Sequence, residues 1–162
     1  MSASALAGCG ATAAPSTEPS PTPSTSTTFI PFDCGDAAYS ESVSAETLEC
    51  KTFTSTAGIA PEHDLSWLTS TPLQMSFMRM NGSLTMLVRM PCGVLNVPVA
   101  VSTEKITPVP DGMIQSADGC YGPEAEYRAW TTGYLKKPLT FVWEKQLLVL
   151  TNDLGQINFK SS

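Results

Sequence analysis

Five cysteines and one histidine are the residues best placed for chemistry in this chain: Cys9, Cys34, Cys50, Cys92, Cys120 and His63. Cys9 ends the run Leu6-Ala7-Gly8-Cys9, which has the form of a bacterial lipobox. Small residues at 7 and 8 fit the narrow cleft of a signal peptidase, and the Cys9 thiol is then the acceptor for a diacylglyceryl group. Only eight residues precede it, with no Lys or Arg and no apolar stretch of about 7–15 residues. We therefore expect residues 1–8 to be the remnant of a longer lipoprotein signal, with Ser2-Ala3-Ser4-Ala5 at its tail. The plain alternative is a chance match at the start of a chain that stays inside the cell.

The other cysteines fit export. An odd count is awkward in an oxidising compartment. Setting Cys9 aside as the lipid attachment leaves an even four. The expected bridges are Cys34–Cys50 and Cys92–Cys120, although four cysteines allow three pairings. A four-thiolate zinc site needs closely spaced cysteine pairs, which this chain lacks, so neither a metal nor another cofactor is expected.

Catalytic patterns are sparse. A single histidine argues against most His-based metal sites and His-relayed nucleophiles. His63 stands between Glu62 and Asp64, where a lone imidazole is ordinarily solvated. Glu124 and Glu126 are two apart on an expected helix and face away from each other, so they do not form a hydrolytic carboxylate pair. The chain carries no nucleophile elbow, P-loop, dinucleotide fingerprint or H-E-x-x-H motif.

Charge and composition narrow the classes further. Charged residues are 15% of the 162 and the formal net charge is −6. A low-charge acidic chain without a basic cluster is a poor partner for nucleic acid. Residues 33–64 hold seven of the 15 acids against the single base Lys51, which reads as a solvated, loop-rich acidic part. Residues 10–28 are GATAAPSTEPSPTPSTSTT, with fourteen Ser, Thr or Pro in nineteen positions. Such a stretch has little apolar surface to offset chain entropy. We expect residues 9–28 to act as a lipid-bearing Cys and a disordered tether, of roughly 60 Å maximum reach in polyproline form. Two acyl chains are about the minimum for stable anchoring.

The elements that must position these residues begin near Phe29. Residues 29–64 form the acidic N-terminal part of the domain, with a short helix over Ser44–Cys50 and a strand over Lys51–Thr56. Leu73, Met75 and Phe77 alternate with polar residues, as do Leu84, Met86, Val88 and Met90 beyond Asn81-Gly82. That pattern predicts a β-hairpin turning at Asn81-Gly82. It buries Met75, Met86 and Met90 and puts Met78 and Met80 on the opposite face, as candidates for contact with a partner. Val97–Ser102 reads as a strand in which Pro98, having no N–H, belongs at an edge or bulge. Pro123–Lys137 reads as a helix, with Pro123 at its first position, acids in the first turn and lysines in the last. Its Tyr127, Trp130 and Tyr134 share one face. Leu139–Trp143, Leu147–Thr151 and Gln156–Lys160 read as three strands joined by tight turns. The fold class is α+β and β-dominated: an antiparallel sheet or partly closed barrel with one packed helix.

Residues 65–162 resemble the META-domain (HslJ-like) family in the order of their motifs. These are Trp67-Leu68, a hairpin ending in Met90-Pro91-Cys92, Asn96, Cys120, a helix opening with Pro123 and Glu126 and ending near Leu135, and the closing strands 147–150 and 156–159. The family's Gly-Cys-Asn stands here as Pro91-Cys92-Gly93. The resemblance implies a small secreted or lipid-anchored envelope protein without enzymatic activity, in a family with some links to stress or antibiotic response.

Two functions of different class follow. One is a lipid-tethered module at the extracytoplasmic face of the cell membrane that binds an envelope protein or cell-wall component. The long tether favours a Gram-positive wall. The other is an enzyme acting on envelope polymers through a site without a recognised motif, for which a deep pocket with converging polar groups would be the mark.

Overall fold

The computed structural model describes residues 48–116 and 119–162. Nine strands and two helices occur in them. The strands are β1 (Thr52–Ile59), β2 (Gln74–Met80), β3 (Ser83–Met90), β4 (Gly93–Val101), β5 (Lys105–Pro108), β6 (Ile114–Gln115), β7 (Leu139–Glu144), β8 (Leu147–Asn152) and β9 (Gly155–Ser161). The helices are α1 (Trp67–Ser70) and α2 (Pro123–Leu135). All strand pairs are antiparallel, in the order β3-β2-β1-β9-β8-β7-β5-β4, and β3 also pairs with β4. That last pairing closes an eight-stranded barrel. β6 adds to β4 beside it. Closure is complete where the sequence left it partial, and it removes sheet edges that would otherwise stand unpaired.

Alternation fills the barrel. Phe53, Phe77, Met86, Leu148, Leu150, Ile157 and Phe159 are all 0–1% exposed. Eight strands enclose an interior just wide enough for side chains to occupy. Phe53 meets Phe77 and Trp143 edge-on at centroid distances of 6.0 and 5.0 Å, an arrangement favoured by the ring quadrupoles. Asn81 and Gly82 both have positive φ, 52° and 81°, and join β2 to β3 in the register Met80↔Ser83, as the hairpin signal predicts.

β1 is longer than the sequence indicated. Its pairing with β9 shifts between Ser55 and Ala57. This bulge keeps Ser55 and Gly58 both on the inner face. Gly58 leaves room there for Leu65 and Leu68, since a Cβ would lie 2.6 Å from Leu68 Cδ1. α1, β5 and β6 were not anticipated; at two to four residues each they are too short for a period to be visible. The expected helix over Ser44–Cys50 lies mostly outside the described residues.

Pro98 sits within β4, paired with Thr85 of β3 on one side and, on the other, between the stretches that pair with β5 and β6, where it has no strand partner. Its carbonyl accepts from Val109 N–H at 2.8 Å. The N and C=O of one strand residue point the same way, so the missing donor faces the stretch between β5 and β6. There the Pro110–Gly112 turn, not a strand, is the neighbour, and no ladder bond is lost.

α2 lies across the barrel end that carries the β3–β4 and β8–β9 turns. It stops at Leu135, two residues short of the expected Lys137, because Pro138 disfavours helical geometry in the residue before it. Tyr134 is fully buried, and its hydroxyl donates to the Leu150 carbonyl at 2.7 Å. Asn152 Nδ2 donates to the Tyr134 carbonyl at 2.9 Å. Trp130 stacks on Tyr134 at 5.1 Å, and Tyr127 stacks on Trp67 at 4.6 Å. The aromatic stripe therefore packs as expected, although Tyr127, one of its three rings, meets α1 and not the sheet.

Burial raises the proton affinity of the Tyr134 phenol above its ordinary value of 10.0. Below that pH both folded and unfolded chains keep the proton. Above it the unfolded chain releases the proton first, so stability drains away as pH rises. Tyr134→Phe should cost about 1–2 kcal/mol at neutral pH through the lost buried hydrogen bond. The gap to wild type should narrow between about pH 10 and 12, as measured by urea denaturation. A gap that stays constant over that range would contradict the burial.

Candidate functional site

Three features bear on function: the disulfides, the Met78/Met80 strand face, and the junction of β6 with α2.

Cys92 and Cys120 are joined, with Cα atoms 5.4 Å apart. Cys92 sits in the β3–β4 turn with φ 60°, and Cys120 lies three residues ahead of α2. The bond therefore ties the barrel to the start of the helix that covers its end. Cys50 is also disulfide-bonded. Its expected partner Cys34, like Cys9, lies outside the described residues. Cys50 has φ 65° and turns the chain into β1. Its N–H donates to the Phe77 carbonyl at 2.9 Å.

Met78 and Met80 are 38% and 41% exposed, against 1%, 0% and 5% for Met75, Met86 and Met90. Both parts of the sequence reading of the methionines hold. Thr85 is opposite Met78 and Ser83 opposite Met80, so the two thioethers stand in one row on the outer face with hydroxyl-bearing neighbours.

Arg79 lies between them, on the inner side of β2 at the barrel rim. Its Nε is 3.0 Å from Glu49 Oε1 and donates to Oε2 at 3.2 Å. Glu49 is only 7% exposed. This corrects the reading of the acidic part as solvated: Glu49 is buried against Arg79. The signal was present in the alternation. If Met75 and Phe77 point inward, so does Arg79, and a charge there requires a partner.

At the other end, Arg128 donates to the Ser116 carbonyl at 2.5 Å. An all-donor guanidinium requires an oxygen opposite it, and the Gln115 side-chain carbonyl so placed accepts from Arg128 at 2.5 and 3.1 Å. These bonds pin α2 to β6. An open groove of about 440 Å³ runs beside them, lined among others by Cys120, Ala129, Thr132 and Lys136. Arg128 thus serves the fold, a role no local pattern announced.

His63 is exposed and lies 6.3 Å from the Trp130 ring, edge-on. Asp64 accepts from the N–H and the hydroxyl of Ser66, both at 2.8 Å. These bonds, the backbone one first, hold its carboxyl below the usual range. Asp64 is therefore a turn residue ahead of α1. Asn96, part of the META resemblance, lies opposite Leu87 and Ile114. Its buried Oδ1 has no hydrogen-bond partner among the described residues. Among those residues, no three His, Cys, Asp or Glu are grouped to hold a metal ion. No helix among them is long and apolar enough to cross a membrane.

No family model and no curated protein matches the chain. Solved structures do share the fold. One is an NMR structure of a protein from Burkholderia xenovorans, with TM-score 0.57 and 13% identity over 77% of this chain and 96% of that one. Another protein solved by NMR aligns with TM-score 0.54 and 17% identity, over 73% of this chain and 94% of its own. At such identities the likeness is one of fold alone. Both alignments span nearly all of the other protein.

Proposed function

We propose that this chain is a non-enzymatic, META-like module of the cell envelope. It is tethered to the membrane by lipid on Cys9 and binds an envelope protein or cell-wall component outside the cytosol. The observation that carries the reading is the Cys92–Cys120 disulfide, with Cys50 also in a disulfide. Such bonds persist in exported proteins and are rare in a reducing cytosol. The lipobox at residues 6–9 and the Ser/Thr/Pro stretch behind it supply the anchor and the spacer.

The barrel also bears on the mode of binding. Its interior is taken up by side chains, so recognition belongs on the outer surface. Met78 and Met80 are the favoured contact residues: exposed, adaptable thioethers suit a surface that moulds to its partner.

Fractionation tests the proposal. The protein made from its natural gene in its own cells should be recovered with membranes. Cys9→Ser should shift it to the soluble or secreted fraction while leaving the barrel folded. Soluble recovery of the wild type would overturn the anchor.

A further inference from the structure

The methionines of this protein fall into two sharply different environments within one hairpin. Met75, Met86 and Met90 are at most 5% exposed, whereas Met78 and Met80 are 38% and 41% exposed. Met113, the other described methionine, is partly buried against the core. Met78 and Met80 are i and i+2 on β2, so their Cα atoms stand about 6.7 Å apart with both side chains on the same face.

We propose that Met78 and Met80 form the oxidant-accepting site of this protein. A peroxide transfers one oxygen atom to each thioether sulfur. The O–O bond breaks and the S–O bond forms; sulfur is oxidised by two electrons and the peroxide leaves as water. Each step turns an apolar side chain into a polar sulfoxide.

The surroundings allow this without unfolding. Neither sulfur belongs to the barrel interior. Across the hairpin the register pairs Met78 with Thr85, which is buried, and Met80 with Ser83, which is exposed. Thr85 Oγ1 makes a long 3.4 Å bond to the Ser83 carbonyl. Oxidation at Met75, Met86 or Met90 would instead put a polar S=O group into the packed core. The site is therefore selective by burial and tolerant by position. The consequence rests on the reading of Met78 and Met80 as contact surface: oxidation makes the two apolar side chains of that face polar and weakens a partner's hold on them. The chemistry does not depend on that reading.

The experiment is hydrogen peroxide titration of the purified full chain. Sulfoxide is mapped by peptide mass spectrometry, and folding is followed by near-UV circular dichroism. Met78 and Met80 should oxidise about tenfold faster than Met75, Met86 and Met90, with the folded signal kept after both have reacted. In denaturant the five rates should converge. Met78→Leu/Met80→Leu should remove the fast uptake of two oxygens and nothing else. Equal rates in the folded protein, or collapse of the dichroism once Met78 and Met80 are oxidised, would overturn the proposal. Because the readout is made on purified protein, failure here leaves the membrane-anchoring test untouched.

Discussion

Replacing Cys92 and Cys120 together by Ala should lower the stability of the barrel by about 3–4 kcal/mol. The bond spans a sequence separation of 28, and closing a loop of that length in the unfolded chain sets the figure in the chain-entropy model. In a domain of this size the melting temperature should fall on the order of 10 °C. The loss should be local before it is global. The bond tethers the β3–β4 turn to the segment ahead of α2, and α2 is otherwise held by Tyr134 on Leu150, Asn152 on Tyr134, Arg128 on Ser116 and Gln115, and Tyr127 on Trp67 of α1. Amide exchange in residues 123–135 should therefore quicken before that of β1 and β9. A melting shift under about 2 °C, or uniform exchange across helix and barrel, would show that the bond is incidental to the cover.

The second large effect is expected at Gly155. It opens β9 with φ 147°, and a Cβ there would lie 2.4 Å from the Ile59 carbonyl oxygen and 3.1 Å from Ala60. Both obstacles include backbone, which cannot swing aside as a side chain would. Strained φ alone costs about 1–3 kcal/mol, and the clash forces β9 away from the end of β1, where Ile59 pairs with Gln156. Gly155→Ala should therefore cost upwards of about 3 kcal/mol, placing it among the rare severe single changes. Gly133 is the control. It lies inside α2 with nothing within 4 Å of its Cβ position, so Gly133→Ala should stabilise by about 0.5–1 kcal/mol. Denaturation of the two variants beside wild type reads the contrast, and a Gly155→Ala midpoint equal to wild type would contradict it.

Much of the barrel was legible because period-two alternation survives wherever one face of a strand is buried. Leu73 to Met90 announced β2, the turn and β3, and it sorted the methionines correctly. The last three strands followed from the same pattern and their turn residues. The helix was marked by Pro123 and Pro138. What could not be seen was set by contacts distant in sequence. β5 and β6 are short strands that exist because β4 offers them a ladder. α1 forms where Leu65 and Leu68 find the space left by Gly58. Pro98 looked like an edge signal, yet the gap opposite it is created by residues 110–112. The barrel's closure depends on β3 pairing with β4 while β4 also reaches β5, which no local window contains.

The functional residues divide the same way. The Cys92–Cys120 bond is the expected one of the pairings that four cysteines allow. The exposure of Met78 and Met80 followed from alternation. The burial of Glu49 was missed because its partner Arg79, which the alternation turns inward, is thirty residues away. The clamp of Arg128 on Ser116 and Gln115 joins a helix to a two-residue strand that was itself invisible. For Arg128 one partner lay in an element that the sequence does not announce.

Intact-mass analysis of the protein purified from the membranes of its own cells bears most directly on how this barrel is deployed. Our account expects a polypeptide starting at Cys9, heavier by a diacylglyceryl group, with no thiol at 34, 50, 92 or 120 open to alkylation before reduction. A polypeptide retaining Met1, with native sulfur at position 9 and alkylatable cysteines downstream, would contradict it.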